Sequence, residues 1–196
     1  MIFPDVNFEG YLFDCDGTLA DSMPIHYIAW CKALKQARAT YEFPEELFYQ
    51  LGGTTTARIV DILNDRYGGD LVAEEVAHVK EAIFLEHLHQ VKPIKPVIDF
   101  AMQCAEQGKP MAVVSGGVRH VVEKTIQLIH MDGIFEIIIT PEAVKHGKPA
   151  PDMFLLAAEK LGVEPRKCMV LEDGIKGIEG AAAAGMCSYF IPQSSF

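Results

Sequence analysis

Nowhere in the 196 residues do about eighteen apolar side chains run together, the length a membrane-spanning helix needs. No low-complexity tract and no internal repeat is present, which excludes solenoids and arrays. Positive charge is scarce. Lys plus Arg number 17 against 27 Asp plus Glu, and the net charge of -10 argues against nucleic acid or an anionic membrane as partner. CxxC pairs are missing, and the five cysteines (Cys15, Cys31, Cys104, Cys168, Cys187) are odd in number, widely spaced and mostly in apolar surroundings. They are expected to be reduced thiols in a cytoplasmic protein, with Cys31 and Cys104 as small buried hydrophobes. The first ten residues carry Asp5 and Glu9 and no basic segment, so no export leader is expected.

What is present is an ordinary globular composition, 49% hydrophobic and 22% charged, in a chain long enough for one core and a modest insertion. Short β-like runs at 10–14, 111–115, 134–140, 167–171 and 187–191 alternate with helical stretches at 97–107, 118–129, 152–161 and 175–184. That alternation predicts an α/β fold with a Rossmann-like parallel sheet covered by helices on both faces. The first strand breaks the pattern, because about 95 residues separate it from the second, far more than a simple crossover needs. The intervening segment holds helical runs at 25–37, 45–51, 57–67 and 73–88 and no strand-like run. A small all-helical cap is therefore expected at 21–92, with the core formed by 1–20 and 93–196. The chain would enter the cap near Ala20–Pro24 and return through 91–96, where Pro93 and Pro96 would stiffen the hinge.

Ligands of open parallel sheets lie beyond the carboxyl ends of the strands. The first strand stops at Asp14-Cys15-Asp16-Gly17-Thr18, where residues two apart on a strand point the same way and can converge on one volume. Two carboxylates that close need a cation or a proton between them, so an oxygen-rich Mg²⁺ pocket with one carboxylate free to attack phosphorus is expected. The second strand ends in Ser115-Gly116-Gly117, a hydroxyl followed by open backbone N–H groups suited to an anion. Lys148 follows the third, held between Gly147 and Pro149, and Glu172-Asp173 follow the fourth. Each alone reads equally as a solvated turn, a capping serine or a surface lysine. Together they bring four carboxylates, a serine and a lysine to one rim.

These motifs resemble those of haloacid dehalogenase superfamily phosphatases that carry a helical cap after the first strand. The resemblance rests on 14–22, Ser115, 148–152 and Glu172-Asp173 with the Gly177 and 181–185 tail. His26 and Trp30 make it similar to the beta-phosphoglucomutase-like branch, on the side of its small sugar phosphatases such as the fructose-1-phosphate phosphatases. The resemblance implies a Mg²⁺-dependent phosphatase of a small phosphorylated metabolite; a monomer or weak homodimer is expected. Asp14 would be the nucleophile and Asp16 the acid/base, with a pKa tuned towards neutrality. Ser115 and Lys148 would complete the phosphate cradle. Mg²⁺ would be held by Asp14, the Asp16 carbonyl and Asp173, with Glu172 holding a metal-bound water. Thr18, Gly53, Thr54, Gly116 and Gly117 would contact or frame substrate. His26 reads as a leaving-group contact or a polar helix residue, and Arg58 and Arg119 read as substrate contacts or surface charges.

Rival readings differ in the cap or in the acids. Beta-phosphoglucomutase returns the phosphoryl group to sugar, and its cap arginine aligns with Thr56 and its cap lysine near Phe84, which favours the phosphatase unless Arg58 or Lys80 substitutes. Dehalogenase chemistry has no need of Asp16. A catalytically silent metabolite-binding member would not need the complete set of acids, and a phosphorylated signalling receiver would lack the inserted cap.

Overall fold

The computed structural model describes Phe3 and residues 8–192. Residues 1, 2, 4–7 and 193–196 of the expected core lie outside the described residues, and so does most of the segment on which the leader expectation rests. Along the chain, β1 (Gly10–Phe13) leads through a tight loop into a short strand β2 (Ala20–Asp21). Four helices follow: α1 (Met23–Gln36), α2 (Glu45–Gln50), α3 (Thr56–Tyr67) and α4 (Ala73–His87). The chain returns through β3 (Lys92–Pro93) and continues as α5 (Lys95–Glu106), β4 (Met111–Val114), α6 (Arg119–Leu128) and β5 (Ile137–Ile139). It ends with α7 (Asp152–Leu161), β6 (Cys168–Glu172), α8 (Ile175–Ala183) and β7 (Cys187–Phe190).

The fold is α/β, a Rossmann-like parallel sheet in the order β5-β4-β1-β6-β7 with β1 at its centre. Both faces of the sheet are covered, which is why the strands read as continuous apolar runs. Tyr11, Phe13, Met111 and Val113 pack with Val97 and Ala101 of α5 and Val122 and Ile126 of α6. Leu12, Ala112, Val114 and Val170 pack on the other face with Phe154 and Ala157 of α7 and Ala181 of α8. The chain runs outward from β1 to β4 and β5, then crosses to β6 and β7. The strand order therefore reverses beside β1, and a crevice opens beyond its carboxyl end.

The helices between β2 and β3 pack on one another around Trp30, Leu34, Phe43, Phe48, Leu63 and Phe84. They join the sheet through a ribbon that the sequence did not reveal: β2 and β3 pair antiparallel, Ala20 with Pro93 and Asp21 with Lys92. Two-residue strands are too short to show a period. Of the two prolines expected to stiffen the return, Pro93 lies in β3 and Pro96 in the first turn of α5, where, as for Pro24 in α1, a missing N–H costs nothing. The run at 134–140 shrinks to β5 at Ile137–Ile139, with Phe135 buried in the core outside the ladder. All five thiols are free. Cys15, Cys104 and Cys168 are buried, but Cys31 is exposed, against expectation, as is Cys187. No helix of the described residues is long and apolar enough to cross a membrane.

Candidate active site

The loop after β1 is bound tightly to itself and to β6. The Asp14 N–H donates to Leu171 O at 2.9 Å, extending the ladder one residue, and the N–H groups of Leu19 and Ala20 both converge on Cys15 O at 2.9 Å. Gly17 has φ 89°, and a β-carbon there would overlap the Asp173 carboxylate. Glycine is thus required twice, for the turn and for the space. Thr18 is wholly buried beneath the cleft and donates through Oγ1 to Asp173 Oδ1 at 3.0 Å.

Lys148 lies at the centre of the acids, its side chain shielded from solvent. Its Nζ is 2.6 Å from Asp14 Oδ1 and 2.7 Å from Glu172 Oε2. Glu172 is held from its other oxygen by the Gly174 N–H at 3.0 Å. Burial opposes charge on Lys148, but the two carboxylates outweigh it and push the ammonium pKa up. Burial, and after it the mutual repulsion of the acids, raises Asp14 and pushes Glu172 up to about 8. Asp14, Glu172 and Asp173 each place a carboxylate oxygen within 4.8 Å of the others. Three hard oxygen donors around one ammonium leave an excess of negative charge. That donor set fits a small divalent cation such as Mg²⁺.

Asp16 lines the same cleft but has its own partners. The strand ends at Phe13, so the two-residue alternation no longer governs the loop, and the Asp16 carboxylate stands apart from the three-acid cluster. Its Oδ1 accepts from Ser22 Oγ at 2.6 Å and lies 3.1 Å from His26 Nε2. Burial works to raise the Asp16 pKa, but His26 and Ser22, with Lys80 beyond them, overcome it and hold the group at about 2. This is far from the neutral value expected of it. Burial, then the charge of Lys80, lowers His26 below its ordinary range, so at neutral pH it serves Asp16 as an N–H donor. Its buried Nδ1 has no hydrogen-bond partner among the described residues.

An open cleft, with about 640 Å³ of empty space including solvent at its mouth, separates the rim of the sheet from the helices. Asp14, Asp16, Ser115, Gly116, Gly117, Glu172 and Asp173 line it from the core, and His26, Trp30, Gly53, Thr54 and Lys80 from the opposite side. Ser115 Oγ accepts from the Gly117 N–H at 3.1 Å, so that amide is already engaged. His26 stacks on Phe84 with ring centroids 3.8 Å apart. Lys80 Nζ lies 5.9 Å from the Phe84 ring centre and 6.0 Å from that of Trp30, and burial lowers its pKa.

The two arginines are not among the lining residues. Arg58 is exposed and 3.9 Å from Asp61. Arg119 turns to the sheet edge, donating to Glu123 at 3.0 Å and to Ile138 O at 2.6 Å. The helical side instead supplies Lys80, which the sequence offered only as a substitute. Ser22 was read as part of a motif and given no role, although its place six residues after Asp16 was visible.

Residues 8–185 match the family model described as haloacid dehalogenase-like hydrolase. The chain is 34% identical over 180 residues to fructose-1-phosphate phosphatase YqaB of Escherichia coli (strain K12), covering 91% of this chain and 94% of that one. It is 32% identical over 182 residues to hexitol phosphatase A of the same organism, covering 90% and 80%. A solved structure described as a putative beta-phosphoglucomutase from Bacteroides vulgatus superposes with a TM-score of 0.84 at 26% identity, covering 99% of this chain and 79% of that one. With the match running through every strand of the rim from β1 to β6, the chain belongs to the haloacid dehalogenase-like hydrolase family.

Proposed function

We propose that this enzyme is a Mg²⁺-dependent phosphatase of a small sugar phosphate, working through an aspartyl-phosphate, with 21–92 as its cap and 1–20 with 93–196 as its catalytic core. The observation that carries this reading is the buried Lys148 ammonium held between Asp14 and Glu172 at the base of the cleft. An unreactive surface turn has no reason to bury three acids and a lysine together. The phosphatase names of the two curated relatives support the same reaction class.

In the first step an Asp14 carboxylate oxygen attacks phosphorus as the bond to the sugar oxygen breaks, and Asp16 gives that oxygen its proton. Water then attacks the same phosphorus and loses its proton to Asp16, freeing phosphate and restoring Asp14. The hydrogen bonds from Ser22 and His26 favour the ionised Asp16 that the second step uses. For the first step, it must be released from Ser22 and His26 and take up a proton. Lys148 and the Ser115 hydroxyl hold phosphoryl oxygens, and Thr18 braces Asp173 from below. Asp14, Asp173 and the Asp16 carbonyl would hold Mg²⁺, with Glu172 on a bound water; when bound, the ion supplies positive charge against the phosphoryl oxygens.

Lys80 in the cleft favours the mutase as a second reading, because one of the two cap cations thought missing has a counterpart there. Incubation with beta-glucose 1-phosphate and a trace of the bisphosphate separates the two. Glucose 6-phosphate forming faster than free phosphate would establish the mutase. The main test is a phosphate-release screen over sugar phosphates, nucleotides and short-chain phosphorylated acids, with Mg²⁺ or with EDTA. Metal-dependent release that disappears in Asp14→Asn is expected. An Asp14→Asn protein that behaves like its parent would refute the phosphatase.

A further inference from the structure

The loop between α2 and α3 approaches the sheet rim through glycine backbone. Gly52 donates to Tyr49 O and Thr54 to Leu51 O, and Gly53 stands at φ 76°, so the loop is a compact turn. A β-carbon on Gly116 would lie 2.7 Å from Gly53 O and 3.2 Å from Gly53 C. On Gly174 it would lie 3.3 Å from Gly52 O, and on Gly147 3.5 Å from the Thr55 side chain. From the other side, a β-carbon on Gly53 would lie 3.5 Å from Lys148 Cδ and 3.6 Å from Lys176 Cβ. The loop thus rests on three successive core loops, each of which offers a glycine, and the contact is tightest at Gly116.

From this geometry we infer that Gly116 is a positioning residue that sets how deeply the helical cap seats on the core, and thereby how closely His26 and Lys80 approach the leaving group. Gly116 does not have a positive φ, so its own backbone accepts alanine. The obstacle is the backbone of Gly53, which has no rotamer by which to move away. An alanine at 116 keeps the backbone N–H and changes the height of the loop above it.

The test is Gly116→Ala, read by two measurements. Trp30 is the only tryptophan, is buried and lines the cleft, so its quenching by acrylamide reports the seat without turnover. With inorganic phosphate as the probe ligand, the quenching constant is expected to rise about twofold or more, as a lid held open exposes the cleft. In the kinetic arm, which rests on the phosphatase reading, kcat/KM for the best sugar phosphate falls roughly tenfold to a hundredfold, the scale on which a small misplacement costs rate. It falls less for para-nitrophenyl phosphate, whose leaving group makes no specific demand on the cap. Gly174→Ala, with its looser contact to Gly52, should move the quenching in the same direction by less, and it keeps the test open if Gly116→Ala fails to fold; its turnover is left out of the comparison, because its β-carbon also lies 3.2 Å from Glu172 Oε1. Parent-like quenching in Gly116→Ala, or a larger rise in quenching in Gly174→Ala, would overturn the inference. A parent enzyme that hydrolyses no sugar phosphate refutes the phosphatase reading and leaves the fluorescence arm intact.

Discussion

The Lys148 ammonium lies 2.6 Å from Asp14 Oδ1 with no solvent access to its side chain. Removing one partner of such a pair leaves the other charges buried and uncompensated, at about 3–5 kcal/mol. Lys148→Met should therefore unfold at lower urea, most clearly in EDTA, and Mg²⁺ should restore part of the loss by supplying the missing positive charge. Turnover should fall about a hundredfold to a thousandfold, as when one preorganised charge donor is deleted. Equal urea midpoints for variant and parent would refute this account of the cluster.

Gly177 makes room for Glu172, because a β-carbon there would overlap the Glu172 carboxylate. Gly177→Ala forces that side chain away from Lys148 and from the Gly174 N–H. Overpacking of this kind costs about 1–3 kcal/mol. Phosphate release by the variant should fall with it, and a crystal structure should find Glu172 displaced. Helix α8 itself gains from alanine, so a variant more stable than the parent would refute the steric argument.

Asp16 is held at about 2, below its ordinary 3.8, so the folded chain binds a proton there less readily than the unfolded chain does. The stability this contributes is present above the ordinary value and is lost as pH falls through about 2. Asp16→Asn lacks this contribution. The difference in unfolding free energy between parent and variant should be greater at about pH 6 than at about pH 2.5, by about 2 kcal/mol. Urea titrations at stepped pH measure it, and a difference constant with pH would contradict it.

Lys80 is a buried cation set against the rings of Trp30 and Phe84, with its pKa lowered first by burial. A lysine more easily deprotonated when folded weakens the fold while it is charged, and stability rises with pH above its folded pKa. Lys80→Met should raise the urea midpoint at neutral pH, with the gain shrinking towards the ordinary lysine pKa of 10.5. The same variant should lose about tenfold to a hundredfold in kcat/KM for sugar phosphates, the scale of a lost charged contact. A more stable and fully active variant would remove Lys80 from substrate recognition.

Much of the sheet was legible because buried parallel strands are written as short continuous apolar runs, and α7 was read at its observed limits, Asp152–Leu161, because Pro151 and Gly162 bracket it. The ribbon of β2 and β3 was not legible, since its residues pair only because the chain returns from the helices between them. Asp14 and Asp16 do line one cleft, but their different partners were not legible. Strand alternation stops with the strand, and the groups that hold the Asp16 carboxylate, Ser22 and His26, are brought to it by the start of α1. Arg58 and Arg119 looked as suitable as Lys80 on paper, because charge is visible in a sequence and the direction of a side chain is not.

The sequence by itself determined the fold class and the family, because apolar periodicity and four spaced acid, hydroxyl and lysine motifs are local features that need no partner to be recognised. The opening pair of acids was visible in the same way, as was the inserted helical segment. Only the tertiary structure decided that the two acids take different partners in one cleft, that Lys80 lines it from the helical side, and that the loop between α2 and α3 meets the rim through backbone at Gly116. Each of these depends on the distance between atoms far apart in the chain, and packing sets that distance.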